Sequence, residues 1–226
     1  MSRQDGGVSM KHCCDDKAEA LAQLRSRQSR VIKVVLAINA IMFAVELVAG
    51  LASRSTALLG DSLDMLGDAL VYGATLYAFA RGPVEKARTA LLKGGVMALF
   101  AVGVLAEAII KAARGAVPAA ELMGGVGLLA LAANFACLVI LLRHREDDIN
   151  MKSAWICSRN DIAANVAVVG AALTVGMVRS WWPDVLVGVG IAGLFLVSAF
   201  GIVTESLIAL RAARSATLAI GPKAPT

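Results

Sequence analysis

Long apolar stretches recur along the chain and constrain its fold more than any other feature. Runs of Leu, Val, Ala, Ile and Gly make up most of each stretch. The six stretches lie at residues 31–53, 57–80, 93–113, 121–142, 154–178 and 184–209. About 20 apolar residues are enough for a helix to cross the hydrocarbon core of a bilayer. We therefore predict an all-α membrane protein with six transmembrane helices.

The distribution of Lys and Arg predicts the topology. Basic residues concentrate in the N-terminal segment and in alternate connections, at 81–93, 143–152 and 211–214, whereas the other connections carry few. Since cytoplasmic loops are enriched in Lys and Arg, this asymmetry places both termini in the cytoplasm. The net charge of +5 is then a consequence of topology. We accordingly predict a lipid bilayer as surroundings and no nucleic-acid partner.

The chain divides into three predicted parts. Residues 1–30 form a polar cytoplasmic tail, residues 31–209 a six-span transport domain, and residues 210–226 a short cytoplasmic tail. The first part does not fit a signal peptide, because no apolar core follows an early charge cluster. The four cysteines do not suggest a disulfide framework, since two lie in spans and two in a tail where thiols stay reduced.

One glycine-rich segment imitates a nucleotide-binding motif. The run from Gly188 to Gly193 matches the spacing of the dinucleotide fingerprint letter for letter. It lies inside an apolar span with no strand before it and no acidic residue at the right distance. Close packing of helices in lipid is the role that this context favours.

The second apolar stretch carries three aspartates. Asp64 and Asp68 are spaced i, i+4, which places both carboxylates on one face of a helix, and Asp61 lies one turn nearer the outer surface. Ionisable groups at membrane depth are costly and usually mark an ion path or a binding site. Neighbouring amides and hydroxyls could satisfy one such group, but a column of three favours a cation. We predict that Asp64 and Asp68 are metal ligands.

The fifth stretch offers a facing pair with the same spacing, Cys157 and Asp161. Asn165 extends this polar face by one turn and Asn160 flanks it. Because the second and fifth spans should run in opposite directions, the two pairs can meet near the middle of the membrane. Three carboxylates and a thiolate could then surround a cation tetrahedrally, as zinc accepts, and the thiolate favours soft ions such as cadmium. The alternative for Cys157 is a small buried apolar residue.

Two further groups of residues are candidates for an accessory or pathway role. Asn39 and Glu46 share a face of the first span and could line an approach to the site, or form a hydrogen bond between helices. His12, Cys13 and Cys14 form a compact cluster of metal-capable side chains in the N-terminal tail. That cluster could collect or sense metal, or be an ordinary polar tail.

These residues together resemble the cation diffusion facilitator family of metal transporters. The matching positions in the first two spans are Asn39, Phe43, Glu46, Gly50, Ser53, Ser55, Ala57, Leu58, Leu59, Asp61, Ser62, Asp64 and Asp68. Members pair Asp or His with Asp at i, i+4 in the second span and usually His with Asp in the fifth. Here Cys157 stands where a histidine is common, and Asp161 matches the aspartate. The fit covers about 31 to 209.

The resemblance implies a six-span homodimer that exports divalent transition metals from the cytoplasm in exchange for protons. Most members continue into a cytoplasmic metal-binding domain, and this chain is similar to a short form without it. We expect zinc or cadmium as the transported ion, no catalytic cofactor, and a multi-pass location in a bacterial inner membrane. The alternatives are a membrane-bound metal sensor that moves no ions and an intramembrane metal hydrolase. The hydrolase lacks support because both histidines, His12 and His144, lie outside the spans.

Overall fold

The computed structural model describes residues 10–78, 83–143 and 149–219 of the chain. Side chains are described from residue 29 to 143, apart from positions 75 and 78–83 and position 86, and from 161 to 213. The elements in order are α1 (Met10–Ser53), α2 (Thr56–Ala78), α3 (Pro83–Arg114), α4 (Ala120–Leu142), α5 (Ile149–Val178) and α6 (Trp182–Ala219). The described part of the chain is entirely helical, which confirms the predicted all-α class.

Five of these helices are long and apolar enough to cross a membrane. The candidate spans are Ser29–Ser53, Ala87–Arg114, Ala120–Leu142, Asp161–Val178 and Trp182–Ala213. Helix α2 has 23 residues, which gives a length of about 34 Å at 1.5 Å per residue. Helix α2 is not one of the five candidate spans because it carries three aspartates, which are more charged side chains than an apolar span contains. The same aspartates are predicted site residues.

Four helices extend further than the apolar stretches indicate. Helix α3 begins at Pro83, ten residues before its stretch, and α5 at Ile149, five residues before its stretch. Helix α1 begins at Met10, so much of the N-terminal tail is helical, and α6 continues to Ala219, ten residues beyond the predicted end of the last span at 209. For α1 and α6 the physical reason is helix propensity, since the segments 17–25 and 208–214 are rich in Ala, Leu, Glu, Lys and Arg. Apolar content locates the membrane-crossing part of a helix but not its ends.

Helix α2 occupies the centre of the bundle and contacts α1, α3, α5 and α6. The larger packing partnerships are α3 with α6, α1 with α2, and α4 with α5. The main apolar core lies where α2 meets α4, α5 and α6, and includes Leu58, Met123, Val168 and Ile191. Asp61 of α2 is buried by protein, whereas Asp64 and Asp68 are partly buried.

Three helices end in the same way at one end of the bundle. Arg54 (φ 54°), Gly115 (φ 65°) and Arg179 (φ 48°) follow α1, α3 and α5 in the left-handed region. The backbone N–H of Gly115 donates to the carbonyl of Lys111 at 2.9 Å, and that of Arg179 to Val175 at 2.8 Å. These bonds satisfy carbonyls that a helix end leaves free. We call this end, formed by connections 54–55, 115–119 and 179–181, the outer end, because the distribution of Lys and Arg predicts that it faces away from the cytoplasm.

A buried aspartate holds the outer end together. Asp184 of α6 accepts hydrogen bonds from the backbone N–H groups of Thr56 (2.7 Å) and Ala57 (3.1 Å), the first residues of α2. It also accepts from the Ser55 hydroxyl at 2.5 Å and forms a salt bridge of 2.5 Å with Lys111 of α3. Lys111 also donates to the carbonyl of Arg54. One carboxylate thus caps α2 and joins it to α3 and α6.

The glycine-rich segment of α6 serves helix packing, as the sequence indicates. A Cβ at Gly188 would lie 2.5 Å from the carbonyl carbon and oxygen of Thr56, whereas a Cβ at Gly190 would meet nothing within 4 Å. We expect Gly188→Ala to destabilise the protein by about 1–3 kcal/mol, since the clash is with backbone. Gly190→Ala is the matched control and should not lower the unfolding temperature in detergent. Equal unfolding temperatures for the two variants would contradict this role of Gly188.

Candidate metal centre

The three aspartates of α2 lie on its protein-facing side at successive depths. Asp61 is fully buried, and Asp64 and Asp68 are partly buried. The spacing of three and then four residues keeps them within one face of the helix. Because α2 starts at the outer end, Asp61 is nearest that end and Asp68 is farthest from it.

Helix α5 brings a fourth carboxyl group to this column. Asp161 is buried and forms a side-chain hydrogen bond with Asp64. Its charge also interacts with that of Asp68. The structure therefore brings together three of the four predicted ligands, Asp64, Asp68 and Asp161, between α2 and α5. Their role as metal ligands stays a prediction.

The fourth predicted ligand, Cys157, lies in α5 one helical turn before Asp161. Its side chain falls outside the described residues, as does that of Asn160. Among the side chains that the structure does describe, no three His, Cys, Asp or Glu form a group able to hold a metal ion. His12, Cys13 and Cys14 belong to the first turns of α1, and their side chains are likewise outside the description.

A chain of two amides orients Asp61. The Nδ2 group of Asn165 donates to both carboxylate oxygens of Asp61, at 2.7 and 2.9 Å. The Oδ1 atom of Asn165 in turn accepts a hydrogen bond of 2.9 Å from Nδ2 of Asn134 in α4. All three residues are buried. Asn165 thus lies beside the aspartate column as predicted, and it fixes the direction in which Asp61 points.

The two polar residues of α1 have different surroundings. Asn39 donates to the carbonyl of Val35 one turn earlier at 2.9 Å, and its Nδ2 lies 3.9 Å from the Cys137 sulfur. Glu46 is fully buried, and within the part of the chain whose side chains are described neither of its carboxylate oxygens has a hydrogen-bond partner. Its charge interacts with that of Asp61.

Three residues beside the aspartates were missed by the sequence analysis. Tyr72 forms a side-chain hydrogen bond with Asp68, and the i, i+4 spacing of the two in α2 could have indicated it. Cys137 of α4 is buried near Asp68 and Asp161, with whose charges it interacts. Asn134 precedes Cys137 by three residues in an otherwise apolar span. Asn134 could have been predicted as a site residue because an amide side chain within an apolar span usually forms hydrogen bonds to another helix.

Comparison with known protein families assigns this chain to one of them. The model of the cation efflux transmembrane domain matches residues 32–210, which include α2 to α5, most of the apolar parts of α1 and α6, and the whole aspartate column. The chain belongs to the cation efflux family. This confirms the resemblance to the cation diffusion facilitators that the motifs of the first two spans and the fifth indicated.

Curated relatives of this cation efflux protein are distant. The metal cation efflux system protein CzcD of Cupriavidus metallidurans is 26% identical over 189 residues, which are 78% of this chain and 60% of that protein. The cadmium, cobalt and zinc/H(+)-K(+) antiporter of Bacillus subtilis is 24% identical over 193 residues, which are 77% of this chain and 62% of that protein. The chain thus spans less than two thirds of the length of either relative.

Proposed function

We propose that this chain exports zinc or cadmium ions from the cytoplasm in exchange for protons. Membership of the cation efflux family supports metal efflux as the general activity. The observation that carries the more specific proposal is the hydrogen bond between Asp64 and Asp161, which joins two helices inside an apolar bundle. Two carboxyl groups can be hydrogen-bonded to each other only when one of them carries a proton. The same pair can therefore hold a proton in one state and a divalent cation in another.

The proposed metal site consists of Asp64, Asp68, Asp161 and Cys157. Three oxygen ligands and one thiolate suit a tetrahedral zinc or cadmium ion and are poor ligands for magnesium or calcium. The ligands must lose their protons to bind the metal, so metal affinity falls as the pH falls. A bound dication neutralises carboxylates that would otherwise be costly at membrane depth.

Exchange follows from competition between the two kinds of cation for one site. In an inward-facing state the deprotonated site takes a metal ion from the cytoplasm. Rearrangement of the helices opens the site to the more acidic outer side, where protons displace the metal. The protonated site is nearly neutral, so it can return across the apolar bundle without metal. Each cycle then moves metal outward and protons inward.

The proposal includes the surroundings of the site. The chain has six transmembrane helices with both termini in the cytoplasm, counting α2 as a span, and it functions as a homodimer in a bacterial inner membrane. The bacterial origin of the relatives supports this location. Residues 31–209 form the transport domain, between a tail carrying Cys13 and Cys14 and a short cytoplasmic end at 210–226. The protein is a transporter and not an enzyme.

Metal flux in proteoliposomes tests the proposal. The purified chain is reconstituted, a pH gradient is imposed, and accumulation of zinc, cadmium, cobalt and manganese is followed separately. We expect zinc and cadmium flux that rises with the gradient and stops when a protonophore collapses it. Protein-free liposomes are the control. Metal binding by the protein with no gradient-driven flux would overturn the transport proposal and support the metal sensor instead.

A further inference from the structure

Glu46 is a buried charged side chain that the proposed metal site does not use and that forms no hydrogen bond with the described residues. It lies in α1, seven residues before the end of that helix at the outer end. Its side chain is completely shielded from solvent, and neither carboxylate oxygen has a hydrogen-bond donor among the described residues. An ionised carboxylate in this position is costly unless a proton or a metal cation reaches it. Glu46 is therefore an acceptor for which the described side chains supply no donor.

Asp61 supplies a second carboxylate next to Glu46. The two charges interact across the contact between α1 and α2. Asn165 donates from one nitrogen to both oxygens of Asp61, which leaves each oxygen free to accept a further interaction. The described buried lysine of the outer end, Lys111, is bound to Asp184 and to the Arg54 carbonyl and so is engaged elsewhere.

We propose that Glu46 and Asp61 form a second cation site, which receives the metal ion as it leaves the Asp64–Asp161 centre toward the outer end. This proposal rests on the proposed function. Asp61 precedes Asp64 by one turn on the side of the outer end, and its charge interacts with those of both Asp64 and Asp161. Glu46, Asp61 and the Asp64–Asp161 pair thus form a continuous acidic path between α1, α2 and α5.

The chemistry of the two sites gives the path a direction. The inner centre includes the predicted thiolate of Cys157, whereas the two residues of the second site, Glu46 and Asp61, offer carboxylate oxygens. Soft ions bind a thiolate more tightly than a carboxylate. A zinc or cadmium ion therefore binds the second site more weakly, and an ion that has moved there is closer to release. Replacing Glu46 should slow release and lower turnover more than it lowers affinity for cytoplasmic metal.

Cobalt binding to the purified full-length chain tests this proposal. Co²⁺ bound to a thiolate shows a charge-transfer absorption that Co²⁺ bound only by oxygen lacks, so the two sites can be counted separately. A Cys13→Ser, Cys14→Ser background removes the thiols of the N-terminal tail. In detergent we expect one Co²⁺ with thiolate absorption and a second, weaker-binding Co²⁺ without it. Glu46→Gln should lose the second ion and keep the first.

The control variant is Glu205→Gln, which removes an exposed carboxylate from α6 and should keep both ions. If Glu46→Gln does not fold, as judged by gel filtration, Asp61→Asn should show the same loss of the second ion. Binding of only one Co²⁺ by the background chain, or of two by a folded Glu46→Gln or Asp61→Asn variant, would overturn the second site. Metal flux in proteoliposomes separates the two proposals. If the background chain binds one Co²⁺ and transports metal, only the second site is refuted. If it binds two Co²⁺ and transports no metal, only the transport proposal is refuted.

Discussion

Replacing Asp161 with Asn is expected to abolish metal flux. Asp161 is the carboxyl group of α5 that reaches both Asp64 and Asp68, so its loss leaves the column without a charge from the facing helix. Changes to residues that merely orient metal ligands cost about 10–100-fold in affinity or activity, and loss of a ligand should exceed the upper figure. The amide keeps the size of the side chain and removes the negative charge. We therefore expect the Asp161→Asn variant to lose both metal flux in proteoliposomes and equilibrium binding of zinc.

The comparison with Glu205→Gln isolates the effect of position. That variant also removes one negative charge, but from an exposed site on α6, and it should transport at the native rate. Unchanged thermal unfolding of Asp161→Asn would show that the lost flux is not caused by misfolding. An Asp161→Asn protein that moves zinc at the native rate would refute the proposed site, whatever its effect on binding.

Most features of this fold that the sequence predicts follow from its apolar content and from the spacing of residues along a helix. They placed the helices, and the opposite directions of the second and fifth spans placed Asp161 near Asp64. Neighbours from α4 escaped prediction because Asn134 and Cys137 stand alone in an apolar span, where no periodic pattern distinguishes a site residue from a packed one. The helical start of α1 at Met10 escaped because apolar content does not report helix ends.

The salt bridge between Lys111 and Asp184 illustrates a different limit. Its partners are 73 residues apart in sequence, and each lies near the end of a span, where charged residues usually face water. Both are in fact buried, with side-chain exposures of 2% and 0%. Only the packing of α3 and α6 against the start of α2 creates this contact. Local patterns could not reveal it.

Asp184→Asn should destabilise the protein more than other single changes at the outer end. The native carboxylate accepts hydrogen bonds from Ser55, Thr56 and Ala57 and pairs with Lys111. An amide has one acceptor atom, and its NH₂ group would point toward donors. Removing one partner of a buried ion pair costs about 3–5 kcal/mol, because the other charge stays buried without compensation. We expect a correspondingly lower midpoint of thermal unfolding in detergent.

Two further variants distinguish the effect of breaking the buried Lys111–Asp184 salt bridge from the effect of losing a charge elsewhere. Glu85→Gln breaks the i, i+3 salt bridge with Arg88, whose side chains are 39% and 65% exposed, and should cost at most about 1 kcal/mol. Adding Lys111→Met to Asp184→Asn removes the uncompensated ammonium group and should recover part of the lost stability. If Asp184→Asn unfolded at the same temperature as Glu85→Gln, the start of α2 would not depend on this carboxylate. If the double variant regains stability, the regained part of the free energy of unfolding is the cost of leaving the charge of Lys111 buried without a partner. The part that is not regained is the cost of losing the cap of α2.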